Sequence, residues 1–232
     1  MKKFISIILV LVLSLVVVGC SNEKTDAMKF KEEYEGVNGK VNEHTKKENR
    51  ELDISKENPF VYATAEDIVK RIDNKETFIV YFGFAECPWC RSVIEQLIKV
   101  AEDKNVEKIY YVDVLNIRDV REIGEDGEIK TTTEGSKGYM DLLTRLDNVL
   151  EDYTLTNENE EEISAGEKRI YAPNVVAISQ GKAIQLETGI SPKLTDPYSK
   201  LTDNIKKYAY NKFKCLVKCL EEESTTCQKN SC

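Results

Sequence analysis

Three regimes of hydropathy succeed one another along the chain. From Phe4 to Val18 the sequence is an apolar run behind Lys2 and Lys3. From Ser21 to about Lys56 it is dominated by Lys, Glu, Asn and Gly, with only scattered apolar residues. Such a segment buries too little apolar surface to offset the entropy of ordering it, so residues 20–56 are expected to form a disordered tether. From Pro59 onward, apolar residues return with strand-like and helical periods in turn.

"FVYAT" (60–64) predicts a short first strand, and Thr64 with Asp67 makes a capping-box-like start to a helix carrying Ile68, Val69 and Ile72. "TFIVYFGF" (77–84) is rich in β-branched and aromatic residues and reads as a buried strand. Val93, Ile94, Leu97, Ile98 and Ala101 then recur at helical spacing, and "EKIYYVDVL" (107–115) is a further buried strand. Residues 119–137 are polar and Gly-rich and are expected to be a loop. Tyr139, Leu142, Leu143, Leu146, Val149 and Leu150 mark an amphipathic helix, and 155–169 an acidic loop. Both loops are expected to be solvated insertions, with recognition of a partner as the alternative. "RIYAPNVVAISQGKAIQLETG" (169–189) predicts two strands joined at Gln180-Gly181-Lys182, and a final helix runs from about Ser199 to Glu222. The order β-α-β-α-β-α-β-β-α describes an α/β domain: a central mixed sheet flanked by helices.

Composition changes this picture little: 232 residues, 41% apolar and 32% charged, fit one globular domain with appendages. The apolar N-terminal run is shorter than the ~20 residues that span a bilayer, and it ends in Val17-Val18-Gly19-Cys20, which resembles a bacterial lipobox. The expected organisation is a lipoprotein signal peptide (1–19), lipidation at Cys20, the tether, a domain over 57–213 and a Cys-rich extension over 214–232. An uncleaved membrane anchor is the alternative. The net charge of −8 becomes more negative once Lys2 and Lys3 leave with the signal peptide, which argues against nucleic acid as a partner. Membrane attachment then rests on lipid rather than on a basic patch. The expected location is the extracytoplasmic face of the cell membrane, where disulfides form and persist. The single histidine, His44, falls in the tether, so His-dependent nucleophilic catalysis is not expected.

The candidate chemistry lies in "CPWC", where Cys87 and Cys90 stand between a strand and a helix. A thiolate is the nucleophile in disulfide exchange, and a helix N-terminus favours an anion. Pro88 suits the first helical position, where its missing N–H costs nothing. Cys87 is then at the cap and Cys90 one turn inside. Arg91 is expected to lower the Cys87 pKa and Glu86 to raise it. Trp89 is expected to be an exposed contact surface for partner polypeptides, with core packing as the alternative.

With Ala172-Pro173 opening a later buried strand, residues 59–213 resemble the thioredoxin-like superfamily. "CPWC" stands as the active-site motif and "YAPNVVAISQGK" as the cis-proline strand. The exported setting and the "YFGFAECPWCR" context resemble lipid-anchored thioredoxin-like proteins of Gram-positive bacteria, some grouped with bacteriocin transport accessory proteins. The resemblance implies a thioredoxin-like fold with insertions before the cis-Pro strand. It also implies Cys87 as nucleophile, Cys90 as resolving cysteine, a cis Pro173 beside the sulfurs, and backbone at Ala172 pairing with a bound peptide. Glu86 replaces the family's tryptophan before the first cysteine, Pro-Trp replaces Gly-Pro, and Tyr81 stands where the family has a buried aspartate.

Four cysteines remain. Cys215 and Cys219 are four apart on the last helix, where Cβ atoms lie about 5–6 Å apart; a disulfide needs about 3.5–4.5 Å. Pairing with Cys227 and Cys232 of the tail is therefore expected, nested as 219–227 and 215–232 if the tail folds back. A zinc site or a second redox pair is the alternative.

The function these features point to is a membrane-tethered thiol–disulfide oxidoreductase. Its expected partners are thiols or disulfides of exported proteins or peptides and a membrane electron-transfer partner, with no metal or organic cofactor. The rival is an accessory binding lipoprotein in which Cys87-Cys90 is a structural disulfide.

Overall fold

A five-stranded mixed sheet organises the protein. The computed structural model describes residues 24–43 and 45–221. Five strands, β1 (Phe60–Tyr62), β2 (Phe78–Gly83), β3 (Ile109–Asp113), β8 (Asn174–Ser179) and β9 (Lys182–Glu187), lie in the order β1-β3-β2-β8-β9. The β1–β3 and β2–β3 pairs are parallel, while β2–β8 and β8–β9 are antiparallel.

Successive side chains of a strand point to opposite faces. Accordingly Ile79 and Tyr81 of β2 face one core cluster, and Phe78, Val80 and Phe82 face another. The first is covered by α1 (Asp26–Glu35), α3 (Pro88–Asp103) and α5 (Asp203–Glu221), the second by α2 (Ala65–Asp73) and α4 (Lys137–Leu146). The chain is thus an α/β protein with helices on both faces of the sheet. Burial on both faces is why the central strands read as unbroken apolar runs. Among the described residues, no helix is long and apolar enough to cross a membrane; the Phe4–Val18 run lies outside them.

Local signals explain the element boundaries. Thr64 and Asp67 close a reciprocal capping box at the start of α2. The β8–β9 turn has positive φ at both Gln180 (48°) and Gly181 (73°), the two-residue hairpin geometry that matches strand twist. Gly181 also sits so close to α2 that a Cβ there would lie 2.2 Å from the Ile72 carbonyl oxygen.

Three expectations are corrected. Residues 24–43 and 45–56 are not a disordered tether. Thr25 caps α1, and Phe30, Tyr34, Leu52 and Ile54 insert into the core shared by α3 and the sheet. The segment lacks a core of its own but contributes four large side chains to an existing one, each worth about 1.5–3 kcal/mol on burial. His44 lies outside the described residues, and the docking of its neighbours removes the ground on which a histidine was set aside. Residues 119–137 contain the hairpin β4 (Val120–Ile123) and β5 (Ile129–Thr133), and the acidic stretch forms β6 (Glu151–Thr156) and β7 (Glu162–Arg169). Most of their side chains are exposed or half-buried, so the strands carry no hydrophobic alternation to read.

Candidate active site

β2 delivers the chain to the cysteine motif, and α3 starts there. The Cys87 N–H donates to the Phe84 carbonyl at 3.2 Å, and the Cys87 carbonyl accepts from Arg91 N at 3.0 Å, the first bond of the helix. Cys87 is the N-cap, and its Sγ accepts from Cys90 N at 3.2 Å. Pro88 fills the first helical position. Both cysteines are free thiols; Cys87 is 3% exposed and Cys90 fully buried.

The two sulfurs are electrostatically unlike. Burial pushes the Cys87 thiol up. The Cys90 thiol, the backbone N–H groups of Cys90 and Trp89, and the positive charge of Arg118 outweigh that and hold it below its ordinary value. Cys90 is held well above its ordinary value, first by burial and then by its hydrogen bond and proximity to Cys87. One sulfur is set up to be an anion while the other keeps its proton, the division of labour that exchange chemistry uses.

Across from the motif, Cys87 Sγ donates to the Ala172 carbonyl oxygen at 3.4 Å. The Ala172–Pro173 peptide is cis, and β8, which follows it directly, pairs with β2 through Asn174 and Phe82. This pairing fixes Ala172 against the cysteine.

Two expected neighbours take other parts. Arg91 does not face Cys87: it is 1% exposed, and its guanidinium donates to the carbonyls of Tyr34 (2.8 Å), Ala85 (3.1 Å) and Arg50 and to Asn38 Oδ1. It clamps the N-terminal segment onto α3, because five donors in a planar fork suit a cluster of carbonyls. Trp89 is half-buried and packs against the core rather than standing free.

Arg118, which no motif or spacing singles out, is the cation that acts on Cys87. Its guanidinium lies 5.4 Å from the Phe84 ring centroid and makes no ion pair among the described residues. The neighbouring Asp119 carboxylate is taken by Arg121 (2.9 Å) and Arg169 (3.1 Å). Arg118 lines a cavity of about 650 Å³ with Val37, Val41, Phe84, Pro88 and Leu115. One wall belongs to the N-terminal segment, where Asn42 Nδ2 donates to the Glu86 carbonyl at 2.9 Å. Tyr34 is the other participant missed, and its partner is Tyr81 of β2. Their hydroxyls meet at 2.8 Å behind Cys90. The only sequence hint for Tyr34 is its spacing of four from Phe30, the helical repeat of a buried face.

Cys215 and Cys219, both buried on α5, are disulfide-bonded. A sulfur so bonded is not a zinc thiolate. The nested pairing with Cys227 and Cys232, and lipidation at Cys20, lie outside the described residues. Among the described residues no three His, Cys, Asp or Glu side chains converge as a metal-binding group.

No protein-family model matches the chain, and no curated protein matches it significantly. The functional reading therefore rests on the geometry.

Proposed function

We propose that the protein is a thiol–disulfide oxidoreductase of thioredoxin-like fold, held by lipid on Cys20 at the outer face of the cell membrane and acting on cysteines of exported proteins or peptides. The observation that carries this reading is the asymmetry of the pair. Cys87 is an N-cap with a depressed pKa, and Cys90 is a buried, protonated neighbour one turn away. The Ala172 carbonyl beside Cys87 and the β1-β3-β2-β8-β9 sheet support the fold assignment.

In the reductive direction the Cys87 thiolate attacks a substrate disulfide. A mixed disulfide forms, and the first substrate sulfur leaves as a thiolate that takes up a proton. Cys90 then loses its proton and attacks the Cys87 sulfur, releasing the second substrate thiol. Two electrons pass from the dithiol to the substrate, and the Cys87–Cys90 disulfide remains. A membrane electron-transfer partner restores the dithiol; oxidation of substrate runs the same steps in reverse. The exchange needs no metal or organic cofactor. Support for a polypeptide substrate comes from the cavity beside the motif, whose apolar walls suit the apolar side chains of an extended segment and whose lining carries charges of both signs, Lys40 and Arg118 with Glu43 and Glu86.

A second reading is favoured by the burial of both sulfurs: an accessory binding lipoprotein that holds a secreted peptide, with Cys87–Cys90 as a structural disulfide. The equilibrium reduction potential of the pair in the full-length protein separates the two. An exchange catalyst falls between about −120 and −270 mV, whereas a structural disulfide lies below about −300 mV. Cys87→Ala abolishes disulfide reduction while leaving the fold in place; activity that survives this change rules out the oxidoreductase.

A further inference from the structure

The segment that brings Ala172 to Cys87 is gripped by the β6–β7 hairpin. Arg169 closes β7, and three residues later the Ala172 carbonyl accepts from Cys87 Sγ at 3.4 Å. Between them stands Tyr171. Its hydroxyl accepts from the Thr154 N–H at 3.1 Å and donates to the Asp152 carbonyl at 3.2 Å. These two groups flank Tyr153, where the β6–β7 ladder is interrupted: Asp152 pairs with Lys168 and Thr154 with Ser164, so Tyr153 stands opposite Ala165, Gly166 and Glu167. Such an interruption leaves backbone groups for a side chain to bond, and Tyr171 takes that place.

Arg169 fixes the same segment to a second loop. It is buried, and its guanidinium donates to the Asp119 carboxylate and to the Asp119 carbonyl, both at 3.1 Å, while lying 3.9 Å from the Tyr153 ring centroid. A planar fork of donors suits two oxygens side by side. Asp119, also buried, accepts in addition from Arg121 Nε at 2.9 Å. It ends the loop between β3 and β4, whose Leu115 and Arg118 line the cavity beside the motif. Downstream of Ala172, Asn174 pairs with Phe82 of β2. Ala172 is thus tied on both sides, and the upstream tie passes through the hairpin.

We propose that Tyr171 and Arg169 are positioning residues for Ala172, and that the β6–β7 hairpin is a brace setting the Ala172 carbonyl against the Cys87 sulfur. The carbonyl acts on the neutral thiol, because a hydrogen bond donated by the protonated form disfavours ionisation. The bond from Cys90 N at the start of α3 favours the thiolate, and the braced carbonyl opposes it. That opposition serves exchange. Nucleophilicity falls as a thiol becomes more acidic, and the best attacking sulfur has a pKa near the ambient pH. A hairpin with polar, largely exposed strands is in this way a working part of the site. The inference rests on the oxidoreductase reading for the use made of Cys87, but its test needs no turnover.

The test is the pH profile of Cys87 alkylation by iodoacetamide in full-length protein with the Cys87–Cys90 pair reduced, the labelled residue being identified by peptide mass. Wild type is compared with Tyr171→Phe, Arg169→Lys and Asn157→Ala. Phenylalanine removes only the hydroxyl. Lysine keeps the charge but cannot span the Asp119 carboxylate and carbonyl as a fork. The groups around Cys87 are the same in all four proteins: Cys90 and Arg91 of α3, Glu86 before the motif, Arg118 after β3, and Lys40 and Glu43 of the N-terminal segment. Asn157→Ala loosens the hairpin at its turn, where Asn157 Oδ1 accepts from the N–H groups of Asn159 and Glu161 at 2.9 Å, and leaves the brace in place. Tyr171→Phe and Arg169→Lys move the midpoint to lower pH and speed alkylation below it by roughly 2- to 10-fold, while Asn157→Ala keeps the wild-type profile. Midpoints that stay in place or move to higher pH, or an Asn157→Ala shift equal to that of Tyr171→Phe, overturn the brace. Shifted profiles in a protein that reduces no disulfide defeat the proposed function alone, and unshifted profiles with full disulfide turnover defeat the brace alone.

Discussion

Cys87 has a depressed pKa although it is almost wholly buried, and burial alone would raise it. The balance is tipped by hydrogen bonds at the start of α3 and by one cation, Arg118, which makes no ion pair among the described residues. Replacing it by neutral glutamine is therefore expected to raise the Cys87 pKa and slow alkylation at neutral pH. The absorbance of the thiolate near 240 nm, titrated against pH, measures this directly. The shift is specific to Arg118: Arg91→Gln, which removes a nearer cation in sequence, leaves the Cys87 titration closer to wild type because that guanidinium serves the carbonyls of Tyr34, Ala85 and Arg50. An Arg118→Gln profile that overlays wild type contradicts this account. Proximity along the chain made Arg91 the obvious candidate, whereas the direction in which a side chain points is set by tertiary packing.

At the scale of elements, the docking of α1 depends on a carboxyl group. Glu33 accepts from the hydroxyls of Tyr62 and Tyr111, and burial raises its pKa from 4.5 despite those two bonds. A carboxyl whose folded pKa is raised adds stability that is fully present below 4.5 and lost as pH rises through the folded value. The attachment of α1 is thus expected to weaken from mildly acidic toward neutral pH. Glu33→Gln cannot ionise, so between pH 4.5 and 7 its thermal midpoint should vary less than that of wild type; identical slopes count against the assignment. Legibility also divides by element. The strand β2, the cysteine motif and α3 were readable because burial on both sides leaves an unbroken β-branched and aromatic run, and a proline marks the helix start. The segment over α1 was not, because Phe30 and Tyr34 are too few to suggest a helix without the core they enter. The hairpins β4–β5 and β6–β7 were hidden for the opposite reason: their strands are polar and largely exposed, so backbone pairing holds them without any pattern in the side chains.

For the molecule as a whole, the first and last described helices frame the same face of the sheet, α1 and α5 both covering the cluster that contains the cysteine pair. Cys215 and Cys219 of α5 are disulfide-bonded. Replacing both residues by serine should lower stability by about 2–5 kcal/mol, read as a shift in denaturant midpoint. If their role is structural, the Cys87–Cys90 potential stays unchanged in that variant; a shifted potential would reveal electron exchange between the two sets of sulfurs.

The docked N-terminal segment alters how far the protein reaches. If the proposed lipid is on Cys20, a free spacer to residue 56 would let the proposed redox site roam well away from the bilayer. The fold is instead already engaged at Thr25, the cap of α1. At no more than about 3.6 Å per residue, the five steps from Cys20 to Thr25 span at most about 18 Å. The site would then work on a short leash at the membrane surface. Its clients would be polypeptides as they emerge there, rather than those that have diffused into the space beyond.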